Sequence, residues 1–363
     1  MPGRVYSAFF RVVLATSDIA VAHAARRREN PNLTQLDRCG VGGFAPGSKG
    51  RPSEARSKQW EVREASALDP AFLNAVWKFG FALASVAFFS GTVGPDATAE
   101  GERKKAEVVT SADGTRIAYE VHGEGSPALV FVHGWSCDRT YWAGQLEPFS
   151  RQFKVVAVDL AGHGESGLGR KAWTMESFGD DVAAVVKKLR LERIILIGHS
   201  MGGDVIAEAA RRLRGRVAGL VWLDTYKQLG PGRTPEQVQA FVAKFRANFV
   251  DTTRDFVRGM FLPNSDPSLV ERVATRMSSA PPTVAVGALE SAFNYSREMP
   301  RTLKELKLRV VAINPDDKPT DVASMERYGV QVIFMPGIGH FLMMEDPERF
   351  NGILRTAIDK LVR

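Results

Sequence analysis

The sequence predicts an α/β fold, a mostly parallel sheet covered by helices on both faces. Two observations carry this prediction. Short, almost wholly apolar runs recur at 128–132, 154–158, 193–197, 217–223, 308–313 and 330–335. Stretches with helical periodicity lie between them, among them 175–189 and 345–361. A strand apolar on both faces needs cover on both, and alternation with helices is how parallel strands obtain it.

The first hundred residues differ from the rest. From residue 1 to about 104 the periodicity is poor, and the Gly- and Pro-containing stretch 40–57 reads as loop or disorder. The exception is the segment 77–99. There Lys78 precedes about a dozen apolar residues ending near Phe89, and Ala97-Thr98-Ala99 has the small-x-small form of a cleavage site. The apolar run is short for a membrane span and suits a signal peptide. Its distance from Met1 suggests a true start near Leu73 or Val76. The expectation is a periplasmic or secreted protein if this segment is a signal peptide, and a cytoplasmic or membrane-anchored one otherwise.

From Glu107 the pattern becomes regular. Residues 107–110 and 115–121 flank Asp113-Gly114, a hairpin signal. The runs at 128–132 and 154–158 follow as buried strands, then the helix 175–189, then the strand 193–197. A helix-favouring run begins at Asp204, and three more strands lead to the final helix. Between Asp224 and Arg309 no strand character is found, too long a stretch for a plain connection. Phe241, Phe245 and Phe249 recur there at helical spacing, followed by Phe256 and Phe261, a stripe that reads as packing between helices and core.

Composition narrows the function classes. The chain is 44% hydrophobic and 25% charged with a net charge of +7, ordinary for a globular protein of 363 residues. No basic stripe interleaved with aromatics appears, which argues against nucleic acid as a partner. Two cysteines, Cys39 and Cys137, cannot build a disulfide framework. The six histidines are scattered without metal-ligand spacing, so neither a metal nor a cofactor is expected.

The most informative stretch is Gly198-His199-Ser200-Met201-Gly202, at a strand-to-helix junction. A serine with glycine two residues before and after it there marks a nucleophile elbow. The bend holds the serine at strained backbone angles, lifts its Oγ out of the sheet, and leaves no room for side chains at the flanking positions.

Three further motifs occur in order at strand ends: His133-Gly134-Trp135, Asp159-x-x-Gly162-His163-Gly164-x-Ser166, and Gly337-x-Gly339-His340-Phe341. With the elbow, they make the chain from about Glu107 onward resemble the α/β-hydrolase superfamily, of the serine esterase and lipase type. The resemblance implies a hydrolase domain over 105–363 with a helical cap at about 226–305. It implies Ser200 as nucleophile and His340 as base. It places the triad acid after the strand ending at Ile313, at Asp316 first, with Asp317 as the alternative. Asp224, at the end of the preceding strand, is a third candidate. Backbone N–H groups of Met201 and Trp135 would form the oxyanion hole, and Trp135 and His199 would line the substrate pocket. His133 and His163 read as loop-fixing hydrogen-bond partners, and Cys137 as a small buried hydrophobe.

The implied activity is hydrolysis of small, apolar carboxylic esters through an acyl-enzyme, in the EC 3.1.1 class. The same triad would also serve C–C bond hydrolysis, acyl transfer or cofactor-free peroxidation, and some members of the fold bind ligands without catalysis. A carboxylate nucleophile, as in dehalogenases and epoxide hydrolases, is absent where Ser200 stands.

Overall fold

Strands apolar at every position persist only where a sheet is shielded twice, and that shielding organises the molecule. The computed structural model describes residues 105–362; segment 77–99 and the rest of the first 104 residues lie outside them. Eight strands form one sheet: β1 (Glu107–Thr110), β2 (Arg116–His122), β3 (Ala128–Val132), β4 (Val155–Val158), β5 (Ile194–His199), β6 (Val217–Leu223), β7 (Val310–Pro315) and β8 (Val330–Met335). Their order is β1-β2-β4-β3-β5-β6-β7-β8. β2 runs antiparallel to β1 and β4, and every later pairing is parallel. β3, β4, β5 and β7 are buried at every position.

Helices α1 (Ala143–Ser150), α2 (Met175–Lys188) and α3 (Met201–Arg212) connect the central strands. Right-handed crossovers place α2 and α3 on one face, and α1, whose crossover runs the other way, on the opposite face. Thr174 starts α2 with a capping box to Ser177.

Five helices stand between β6 and β7: α4 (Pro235–Ala247), α5 (Phe249–Arg258), α6 (Pro267–Ser278), α7 (Pro282–Tyr295) and α8 (Met299–Leu306). Thr234 caps α4, and Pro235 fills its first position, where a missing N–H costs nothing. The phenylalanine stripe packs inward: Phe245 meets Phe241 and Phe256 at ring-centroid distances of 5.4 Å each.

The chain ends in α9 (Val322–Glu326), α10 (Leu342–Glu345) and α11 (Pro347–Val362), the last packed on α1 and β6. A single helix from Glu345 to Leu361 is therefore corrected. Pro347 disfavours helical angles at the residue before it, and Asp346 sits at φ −145°, ψ 77°, breaking the run. Among the described residues no helix is long and apolar enough to cross a membrane.

Buried ion pairs fasten the loops at the sheet's edge. Asp159, at the end of β4, accepts from the guanidinium and the backbone N–H of Arg139, while Arg139 also reaches Glu165 at 2.5 Å. Asp181 on α2 takes Arg170 at 2.5 Å, Ser111 Oγ at 2.6 Å and the Ala161 N–H at 3.1 Å. Removing one partner of such a pair strands a charge. Asp181→Ala is expected to destabilise the fold by about 3–5 kcal/mol, read as a lowered urea midpoint; a shift equivalent to under about 1 kcal/mol would show the pair to be unimportant.

Candidate active site

The β5–α3 junction is as tight as its glycines suggest. Ser200 sits at φ 53°, ψ −121°, a region that L-residues rarely adopt. A Cβ on Gly198 would stand 2.3 Å from the Gly202 carbonyl oxygen, and one on Gly202 would stand 2.5 Å from that of Val132. The Ser200 N–H is tied to the Leu223 carbonyl of β6 at 2.8 Å. Met201 begins α3, so its N–H belongs to the turn that has no intrahelical acceptor.

His340 arrives on the loop after β8. Its N–H donates to the Met260 carbonyl at 2.9 Å, and its own carbonyl accepts from His199 Nε2 at 2.9 Å. Glu345 folds back on the same loop, taking the N–H groups of Gly339 and Phe341 at 3.4 and 3.3 Å, and Ser265 Oγ holds that carboxylate at 2.8 Å. The imidazole is thus positioned from three directions.

Its carboxylate partner is Asp224. His340 Nδ1 lies 2.6 Å from Asp224 Oδ2, while Lys227 Nζ is 3.0 Å from Asp224 Oδ1. Burial works against the Asp224 charge, yet His340 and Lys227 hold its pKa below the usual range. Asp224 has φ 43°, a left-handed bend that ends β6.

Asp316, the first expectation, does not pair with His340. It accepts from the Gly337 N–H at 2.7 Å, bracing the start of the histidine loop. Asp317 instead takes Lys227 Nζ at 3.0 Å. Lys227 thus joins the two loops, lying 3.0 Å from both Asp224 Oδ1 and Asp317 Oδ1.

These groups meet at a cavity of about 550 Å³, lined by Ser200, Met201, Trp135, His199 and His340 together with residues of the helical insertion such as Phe256 and Phe293. Trp135 bridges the two parts. Its indole N–H donates to the Ala285 carbonyl of α7 at 2.6 Å, and its ring meets Phe245 edge-on at 5.5 Å. Cys137 is buried, its thiol pKa pushed well up by desolvation, and it donates to the Trp135 carbonyl at 3.3 Å. Asp204, on the first turn of α3, and Tyr226 also line the cavity. They are linked by a 2.5 Å bond from the phenol, and burial pushes the Asp204 carboxyl up to about 7. Neither residue stood out in the sequence; the one available signal was a carboxylate in the first turn after the elbow.

His133 and His163 have loop-holding partners. His133 Nδ1 is 2.8 Å from the Gly134 carbonyl and Nε2 accepts from the Leu160 N–H at 3.0 Å. His163 Nδ1 is 3.0 Å from the Ala161 carbonyl. Among the described residues no three His, Cys, Asp or Glu side chains converge to hold a metal ion.

Comparison with known proteins places these observations in context. A family model described as the alpha/beta hydrolase family matches residues 129–353. A non-heme haloperoxidase of Rhodococcus erythropolis is 40% identical over 115 residues, 31% of this chain and 42% of that protein. The chain therefore matches under half the length of that relative. A non-heme chloroperoxidase of Kitasatospora aureofaciens is 26% identical over 275 residues, covering 70% of this chain and 99% of its own. Among solved structures, a thermophilic esterase from Thermogutta terrifontis aligns with a TM-score of 0.62 at 26% identity, over 71% of this chain and 99% of the esterase.

The buried histidines make stability depend on pH. Desolvation pushes His133 down to about 4, and His163 and His199 to about 3 each. Unfolded, each would titrate near 6.5, so their stabilisation is complete above that pH and is lost as pH falls toward 4. Asp204 acts oppositely, since a raised carboxyl keeps its proton in the folded state. Burial raises Asp159 and Asp181 as well, so these carboxyls offset part of the proton uptake that the three histidines make on unfolding near pH 5.5. Urea midpoints at pH 7.5, 6.5 and 5.5 should fall accordingly; a constant midpoint would contradict this account.

Proposed function

Because the chain belongs to the alpha/beta hydrolase family, we propose that it is a serine hydrolase cleaving small carboxylic esters with Ser200, His340 and Asp224. The observation that carries this reading is the bond from His340 Nδ1 to buried Asp224, on a cavity that Ser200 also lines. The esterase named among the solved structures adds support.

Asp224 holds the proton on Nδ1, which leaves Nε2 as the base. Ser200 Oγ gives its proton to Nε2 and bonds to the ester carbonyl carbon. The resulting oxyanion is received by the N–H groups of Met201 and Trp135, each worth about 3–4 kcal/mol when preorganised. The imidazolium then protonates the departing alkoxide, and the C–O bond breaks to leave the acyl-enzyme. Water, deprotonated by the same imidazole, releases the acid. Phe256, Phe293, Met260 and Leu289 on the cavity wall favour an apolar portion of the substrate. The insertion between β6 and β7 serves as the cap.

A second reading has its own support in the haloperoxidase and chloroperoxidase relatives. On it, the same serine and histidine would promote peroxide-dependent chemistry. Peroxide-dependent halide oxidation with little ester turnover would favour that reading.

The test combines a chromogenic ester panel of graded chain length with fluorophosphonate labelling. Ser200→Ala and His340→Ala should abolish labelling. Asp224→Asn should lower kcat by about 10⁴-fold through the wrong tautomer, with Asp316→Asn within a few-fold of wild type. A larger loss at Asp316 than at Asp224 would overturn the assignment of the acid, and an unlabelled Ser200 would overturn the serine mechanism.

A further inference from the structure

The fold contains six buried carboxylates among the described residues: Glu120, Asp159, Asp181, Asp204, Glu208 and Asp224. Five have a basic partner. Glu120 has His122 and Arg139; Asp159 has Arg139; Asp181 has Arg170; Glu208 has Arg211 and Arg212; Asp224 has Lys227 and His340. This follows from electrostatics, since an ionised carboxylate taken out of water needs compensation.

Asp204 is the exception. It is 5% exposed, and its one hydrogen-bond partner is the Tyr226 hydroxyl at 2.5 Å, on Oδ1. It is also the one of these carboxylates, besides the proposed triad acid's neighbourhood, that belongs to the catalytic cavity wall. Its position is four residues beyond Ser200 on α3, one helical turn or about 6 Å along the axis. Tyr226 follows Asp224 by two residues, so the pair sits between the nucleophile helix and the acid's loop. The same cavity is lined by Met201, Leu289 and Phe293 and by the polar Thr225, Lys227, Gln228, Arg233 and Ser296, none of which bonds to Asp204. Asp204 is the one carboxylate on this wall and has a single hydroxyl for a partner, so a substrate donor would complete its pairing where an apolar isostere would not.

We propose that Asp204, oriented by Tyr226, forms a substrate-recognition subsite for a hydrogen-bond-donating group, a hydroxyl or an ammonium, a few bonds from the scissile carbonyl. Asp204 is a specificity residue and takes no part in bond cleavage. The proposal rests on the serine-hydrolase reading above and adds a polar requirement to an otherwise apolar substrate.

The experiment uses the full chain and two matched sets of esters, one varied on the acyl chain and one on the alcohol. Each set ends in a methyl, a hydroxyl or an ammonium, at two to six carbons. At pH 8.5, where the Asp204 carboxyl raised to about 7 has given up its proton, the wild type should prefer a donor-bearing ester over its methyl counterpart in one set by about 10- to 100-fold in kcat/KM, the span of a hydrogen bond to a charged group. Asp204→Leu should bring that ratio close to one while methyl esters are still turned over, which also reports an intact fold. Asp204→Asn keeps an acceptor oxygen but no charge, so it separates the sources: a hydroxyl preference survives it in part, and an ammonium preference collapses. Tyr226→Phe should weaken the discrimination by removing the bond that orients Asp204, and unchanged discrimination would overturn the orienting role. The proposal is overturned if neither set discriminates in the wild type, or if Asp204→Leu leaves the ratio unchanged. Labelling of Ser200 by fluorophosphonates ending in ammonium or methyl is run in parallel. Labelling without discrimination defeats the subsite alone, whereas absence of both labelling and turnover defeats the hydrolase reading as well.

Discussion

Everything at this site depends on one backbone bend. At Ser200 the chain leaves β5 and enters α3 within a single residue held at positive φ. The cost of that conformation, about 1–3 kcal/mol for a residue of this kind, is met by packing so close that Gly198 and Gly202 press against neighbouring carbonyl groups. The β5–β6 pairing and the bond from the Ser200 N–H to Leu223 then fix where β6 ends relative to the serine. Because β6 ends there, Asp224 stands where His340 can reach it. The bend thus sets the position of the carboxylate as well as that of the hydroxyl.

The surroundings of the histidine loop follow the same economy of contacts. Three acidic residues hold it at different points: Asp224 at the ring, Asp316 at the Gly337 N–H, and Glu345 at the N–H groups of Gly339 and Phe341. His199, one residue before the serine, adds a bond to the His340 carbonyl. That bond requires the proton on Nε2, and burial keeps the His199 ring neutral at ordinary pH. Ser200 and His340 are therefore connected through the backbone as well as through the cavity they share.

The sheet and its alternating helices were legible because buried parallel strands leave continuous apolar runs, as at Val155–Val158 and Val217–Leu223. Ser200 and His340 stood out through glycines that the backbone geometry requires. The partner of His340 was harder to read. Asp224 and Asp316 both follow apolar strands, and only the course of the two loops in space separates them. Nothing local in the chain encodes which of them brings its carboxylate to the His340 ring. The break at Asp346 was readable from Pro347. The Asp204–Tyr226 pair was not, since it joins residues 22 positions apart across a helix and a loop.

Trp135 has a further consequence. One end of this residue follows Gly134, where a Cβ would stand 3.3 Å from Ser200 Cβ, and the other is an indole anchored to Ala285 and wedged among Phe245, Phe249 and Phe256. The helical insertion is thereby tied, through one side chain, to the loop that follows β3 and packs against Ser200.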